Sequence, residues 1–335
     1  MRKGVLVLIS VLVGLSIAGV TAWGVLALWF ALPFADAVRA VVALGYAVVA
    51  GYAMWRILRR RRPFMSALPY ALATLALFAW WSTIEPSNER QWQPDVRKLA
   101  AAEIDGDFIT IRNIRNFRYR SETDFTPQWY DKTLDLRDLD SLDLIAVYWM
   151  GDAIAHTFLS FGFGGERVAI SIEIRRELEE SYSSLAGLFR QFELYYVVGD
   201  ESDLIGLRTT YREPPEDVYL YRVKMPRENI RALFLQYVAT INELRLEPEF
   251  YNTATTNCTT NIVTNIEAFK EHVPWSWKML LSGYFAELVY ERGALDQSHP
   301  FDVLRRVSLI NELAVAADGS ADFSRRIREG LPGMP

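Results

Sequence analysis

Apolar residues crowd the first quarter of this chain in three long runs, Val5–Leu32, Ala37–Leu58 and Phe64–Ile84. Each run covers the ~20 residues that a helix needs to cross a hydrocarbon core. The pattern therefore predicts a three-span membrane anchor over residues 1–84. The first run is longer than the apolar core of a signal peptide, and two more runs follow it, which argues against a cleaved leader. Between the second and third runs lie Arg59, Arg60, Arg61 and Arg62, a group too costly to hold in lipid. The positive-inside rule sets these arginines, with Arg2 and Lys3, in the cytoplasm. Three crossings then put everything beyond Glu85 outside it. Trp80 and Trp81 sit at the outer end of the third run, where interfacial anchors belong.

Past Glu85 the pattern changes. Residues 85–106 read as a polar, proline-bearing linker, and residues 107–320 as one folded domain. Asp107–Tyr119 alternates apolar with polar positions, as a strand with one wet face does. Leu142–Trp149 is a short apolar run that suits a buried strand, and Ile154–Phe163 predicts another, with His156 near its start. In Val168–Arg175 the isoleucines 170, 172 and 174 face one way while Ser171, Glu173 and Arg175 face the other. Leu194–Val198 and Val218–Val223 complete the strand set, and Leu178–Phe192 predicts a helix. Pro226 opens a helix to about Leu244. Further helices are expected over Lys278–Glu291 and Phe301–Ala317, with a frayed tail over residues 321–335. The expectation is an α+β domain with an antiparallel sheet core.

Charge sharpens the division. Up to Ile84 eight basic residues face one acid, giving +7; the chain total of −5 leaves −12 for the remainder. An acidic body repels phosphates, so nucleic acid is excluded as a partner. The single cysteine, Cys258, cannot form an internal disulfide and assigns no redox compartment.

That cysteine sits in Tyr251-Asn252-Thr253-Ala254-Thr255-Thr256-Asn257-Cys258-Thr259-Thr260-Asn261-Ile262, just ahead of an apolar helical stripe at Ile262, Ile266 and Phe269. Asn257 is a good helix N-cap, so Cys258 falls in the first turn, where free N–H groups and the helix dipole favour a thiolate. The bland alternative is a small buried hydrophobe. A nucleophilic thiol needs a base. His272 lies fourteen residues along the expected helix, about 21 Å away by helix rise, and His299 precedes Pro300 in a turn. His156 remains, though a strand histidine is also a common structural residue. Glu173, on the next strand, is the expected orienter of the imidazole unless it pairs with Arg175 or Arg176 instead; Asp152 is the alternative. Ligand spacing for a metal and a G-x-S-x-G turn are both missing, so neither a metal nor a serine triad is expected. The separation of carboxylate pairs for glycoside chemistry is not legible in a sequence.

Histidine on a strand, a polar partner on the next strand and cysteine later at a helix start resembles the circularly permuted papain-like (NlpC/P60-type) arrangement. The Asn257–Cys258 pair is similar to that of lecithin:retinol acyltransferase-type enzymes. More specifically, HTFLSFGFG (His156–Gly164), ISIEIRRE (Ile170–Glu177), GLFRQFELYYVVGDESDLI (Gly187–Ile205) and EFYNTATTNCTTNI (Glu249–Ile262) resemble the Lnb-type N-terminal periplasmic domain. That family is similar in kind to bacterial lipoprotein N-acyltransferases, and the resemblance runs from about Asp107 to His272.

The resemblance implies a cofactor-free thiol acyltransferase on the outer face of a bacterial inner membrane. Cys258 would be the nucleophile, His156 its base and Glu173 the third member. Asn257 and the amides after Cys258 would hold the oxyanion, and Tyr251 and Asn252 would shape the pocket. The implied partners are a phospholipid acyl donor and diacylglyceryl lipoproteins. A cell-wall peptidase or amidase of NlpC/P60 type would use the same cysteine and histidine, and a non-catalytic lipoprotein-binding domain would need neither.

Overall fold

The structure, a computed structural model, describes residues 2–59, 63–270 and 272–334. Two compact units emerge, residues 1–87 with 182–192, and residues 88–181 with 193–335.

The first unit holds helices α1 (Arg2–Ala31), α2 (Asp36–Leu58) and α3 (Pro63–Ser82). Its few polar side chains pair with one another, as groups away from water must: Thr21 lies 3.0 Å from the Tyr70 hydroxyl, and Tyr46 lies 3.0 Å from Thr74. Trp23 stacks on Phe78 with ring centres 4.9 Å apart. Gly24 permits this close packing, because a Cβ there would come within 2.5 Å of the Tyr46 ring.

The expected three spans become two among the described residues. Val11–Ala31 and Asp36–Leu58 are long and apolar enough to cross a membrane. The third apolar helical stretch found among the described residues is Ala67–Ser82. With two spans rather than three, counting crossings no longer sets the side of the membrane. Arg60, Arg61 and Arg62 of the expected basic loop lie outside the described residues.

The second unit is an α+β domain. Its strands are β1 (Ala101–Asp105), β2 (Phe108–Arg115), β3 (Arg118–Tyr119), β4 (Phe125–Thr126) and β5 (Trp129–Asp135), followed by β6 (Leu139–Tyr148), β7 (Ala155–Phe163), β8 (Glu166–Arg175), β9 (Glu193–Gly199) and β10 (Asp217–Arg222). The helices are α4 (Glu201–Gly206), α5 (Arg227–Leu246), α6 (Cys258–Glu267), α7 (Phe285–Glu291), α8 (Phe301–Val307), α9 (Asn311–Ala317) and α10 (Phe323–Arg326). Eight strands form the main sheet in the order β1-β2-β9-β8-β7-β6-β10, with β5 also paired to β2.

Period-two alternation gives the sheet two apolar faces. Leu159 and Phe161 of β7 and Ile170 and Ile172 of β8 pack with Phe234 and Tyr237 of α5; Phe161 meets those two rings at 5.1 and 5.8 Å. Phe158 and Ala169 face the other way, into a core with Leu204, Ile310, Ala314 and Ile327.

The sheet is mixed rather than antiparallel. β2 joins β9 in parallel at Arg115↔Gly199, and a Cβ at Gly199 would sit 3.2 Å from the Arg115 carbonyl oxygen. Arg115 is held there by a buried ion pair with Asp203 at 2.8 Å, a long-range contact that alternation along one strand does not encode. The permuted papain-like arrangement is a finer description than α+β with a mixed sheet.

Other differences have the same origin. Leu178–Phe192 contains only a 3-10 turn at Ala186–Leu188. Its apolar side chains are used within the first unit instead, where Phe189 stacks on Phe30 at 5.7 Å and the Arg190 guanidinium donates to the Trp81 carbonyl at 2.8 Å. The expected linker 85–106 carries β1 and the buried Trp92 and Val96. The expected frayed tail buries Phe323, Ile327, Arg328 and Leu331.

Candidate active site

His156 lies one residue into β7 and Glu173 near the end of β8. The β7–β8 ladder ends at Leu159↔Ile170, and extending that register by three residues sets His156 opposite Glu173. Directly opposed side chains on one sheet face are within reach of each other. Here His156 Nε2 lies 3.1 Å from Glu173 Oε1 and 2.7 Å from Ser171 Oγ.

The loop before α6 brings up the thiol. Asn252 Oδ1 accepts from the amides of Ala254 and Thr255 at 2.9 and 3.1 Å, closing a tight turn. Asn257 then caps the helix: its Oδ1 takes the amides of Thr259 and Thr260, both at 2.9 Å, while Thr260 Oγ1 accepts from the Asn257 amide. Such a capping box contributes roughly 1 kcal/mol and fixes where the first turn begins. The Asn257 side-chain Nδ2 donates to the Thr253 carbonyl at 2.8 Å. Asn257 is thus engaged as the cap, and Thr259 and Thr260 spend their amides on it. The Cys258 amide, the first of the helix, has no acceptor among the described residues. Tyr251 is half-buried against the α5-side core.

His156 and Thr157 both act on the charge of the Cys258 thiol, whose sulfur lies 3.9 Å from Thr259 Oγ1. Burial alone would push the thiol up, but His156 and then Thr157 outweigh it and bring Cys258 from 9.0 to about 7. Burial likewise disfavours the imidazolium, yet Glu173 and the thiolate raise His156 to about 9. Glu173, despite burial, is held well below the usual carboxylate range by His156 and Arg208. The order of ionisation is therefore inverted from that of free side chains, and between about pH 7 and 9 the pair is thiolate and imidazolium. Iodoacetamide should alkylate Cys258 with a pH midpoint near 7; a midpoint at 9 would mean that the pair does not form.

The structure thus brings together Cys258, His156 and Glu173, and leaves the other candidates apart. Asp152 is exposed and pairs with Arg305 at 2.7 Å. His272 is 80 % exposed and paired with Glu267, because α6 stops at Glu267 instead of running on to it. Three further residues were not singled out in the sequence. Thr157 is the neighbour of His156 and touches Thr259 through its hydroxyl at 3.3 Å. Ser171 lies two residues before Glu173, a spacing that shares a strand face and was the available signal. Arg208, whose Nη2 donates to Glu173 Oε1 at 2.8 Å, arrives from a π-helical turn at Leu207–Tyr211 that no periodicity marks. Among the described residues there is no cluster able to hold a metal ion.

Residues 125–283 match the family model of the Lnb N-terminal periplasmic domain, the family that the cysteine and histidine motifs resemble. No curated protein and no solved structure matches the chain. The family description and the two long apolar helices together describe a periplasmic domain on a chain able to anchor itself in a membrane.

Proposed function

We propose that this chain, whose residues 125–283 carry the Lnb N-terminal periplasmic domain, is a thiol acyltransferase that N-acylates lipoproteins at the bacterial inner membrane. The observation that carries this reading is the array of Cys258 in the first turn of α6 with His156 and Glu173, the latter two 3.1 Å apart, in which the imidazole lowers the thiol and the carboxylate raises the imidazole.

In the first half-reaction the Cys258 thiolate attacks an ester carbonyl of a phospholipid. A carbon–sulfur bond forms, the ester carbon–oxygen bond breaks, and the departing alkoxide takes the proton from the imidazolium of His156. The Cys258 N–H, first of the helix and uncommitted, is the oxyanion donor. In the second half-reaction the α-amine of a diacylglyceryl lipoprotein cysteine attacks the thioester. A carbon–nitrogen bond forms, the carbon–sulfur bond breaks, and His156 takes the surplus amine proton. The products are an amide on the lipoprotein and the thiolate–imidazolium pair ready for another turn. The papain-like permuted fold is the architecture that this order of residues supports. The apolar helices favour lipid substrates, since a tethered site shares one membrane with donor and acceptor and gains effective concentration.

Intact-mass analysis of the purified chain with phospholipid vesicles tests this. An acyl adduct that neutral hydroxylamine removes is the expected result. An unmodified thiol together with cleavage of muropeptides would replace the reading with a cell-wall hydrolase.

A further inference from the structure

Ser171 stands between the two ionisable partners of the thiol. Its Oγ lies 2.7 Å from Glu173 Oε1 and 2.7 Å from His156 Nε2, and the residue is fully buried on the same sheet face as both. A hydroxyl has one proton. Glu173 is ionised and can only accept, so that proton goes to the carboxylate. Towards the imidazole Ser171 is left with a lone pair. Glu173 Oε1 is the other group near Nε2, at 3.1 Å, and it too can only accept. Nε2 therefore keeps its hydrogen in every state of the site, and Nδ1 is the nitrogen that exchanges a proton with sulfur.

Arg208 fixes the far side of this chain. Arg208 is 4 % exposed, and its guanidinium donates to Glu173 Oε1 at 2.8 Å and to the Leu204 carbonyl at 2.7 Å and lies over the Phe158 ring at 5.4 Å. Glu173 Oε1 thus receives Arg208, Ser171 and His156 together, and cannot turn towards any one of them without disturbing the other two.

We infer that Ser171 is a positioning residue of this site: it holds the His156 ring in the Nε2–H form and aims Nδ1 at Cys258. This rests on the reading of Cys258 as a nucleophile, but its test needs no acyl substrate. The failure of one is therefore distinguishable from the failure of the other.

The experiment is ¹⁵N NMR of the imidazole side chains in the full chain in phospholipid nanodiscs, with the pH dependence of Cys258 alkylation measured on the same samples. In the unaltered protein His156 should show the Nε2–H form above its titration. Ser171→Ala removes the shorter of the two acceptors of the imidazolium, so the His156 midpoint should fall from about 9 by roughly tenfold in proton affinity. With less imidazolium beside it, the Cys258 midpoint should rise by a similar factor from about 7. Both limbs close inward while the backbone fingerprint is unchanged. An Nδ1–H form in the unaltered protein would overturn the inference. So would a well-folded Ser171→Ala protein with both midpoints unmoved, which is what a merely space-filling serine predicts. If Ser171→Ala does not fold, the form observed in the unaltered protein still decides.

Discussion

Replacing Cys258 with serine is expected to abolish the acyl adduct and to lower transfer on the order of 10⁴-fold or more, since removing one member of a nucleophile–base array removes nearly all of its effect. A serine hydroxyl at this position inherits the cap geometry and the His156 contact but not the low pKa. Replacing His156 with alanine should be almost as damaging for a separable reason. The thiol is buried, and burial raises it. With the imidazole gone, the Cys258 midpoint should return from about 7 to 9.0 or above, and the thiolate fraction at pH 7 should drop about 50-fold or more. Alkylation kinetics measure that fraction directly, and mass spectrometry of the lipoprotein product measures the transfer. Retention of full transfer by the serine variant would end the enzymatic reading. An unshifted thiol midpoint in the alanine variant would show that His156 is not its partner.

The second large effect is on stability and comes from the end of the chain. Arg328 is 4 % exposed and links two carboxylates buried to 1 % or less: its Nη2 lies 2.8 Å from Asp143 and its Nη1 lies 2.7 Å from Glu201. Asp143 keeps Arg167 and Arg222 as other partners, whereas Glu201 is left with the Ser160 hydroxyl. Breaking one partner out of a buried ionic cluster typically costs about 3–5 kcal/mol, because the remaining charge stays desolvated. Arg328→Ala should therefore lower the thermal midpoint of the second unit by a margin readily seen by circular dichroism. Its pH dependence has a definite sign. Burial raises Glu201, but Arg328 overcomes it and holds the carboxyl at about 2 against an ordinary 4.5. The stabilisation is thus present above pH 4.5 and lost as pH falls towards 2. The gap between the two proteins should be widest near neutrality and should shrink on acidification, where a protonated Glu201 no longer needs its cation. A gap below about 1 kcal/mol at pH 7, the range of a surface pair, would contradict this account.

Much of the site was legible because its signals are local. The start of α6 follows from Asn257, whose cap chemistry depends on amides two and three residues away. That His156 and Glu173 share a sheet face follows from alternation on two adjacent strands joined by a tight connection at Gly164 and Gly165, both with positive φ. The apolar front helices follow from runs that no soluble core requires. Ser171 was within reach of the same alternation, but a buried serine on a strand carries no charge or unusual spacing to single it out.

What sequence determined by itself was therefore the central strands and the start of α6, the identity of the thiol, and the face that each of those strand residues occupies, since these depend on contacts a few residues apart. Tertiary structure decided what depends on groups distant in the chain. It joined β2 to β9 in parallel through Arg115 and Asp203, drew the segment around Phe189 into the first unit, tied the C-terminal residues down through Arg328, and supplied Arg208 to the Glu173 carboxylate. Each of these pairs opposite charges or apolar surfaces across sequence separations that no period of 2 or 3.6 residues spans. The value of a buried charge is set by the partner that meets it, and only the folded chain specifies that partner.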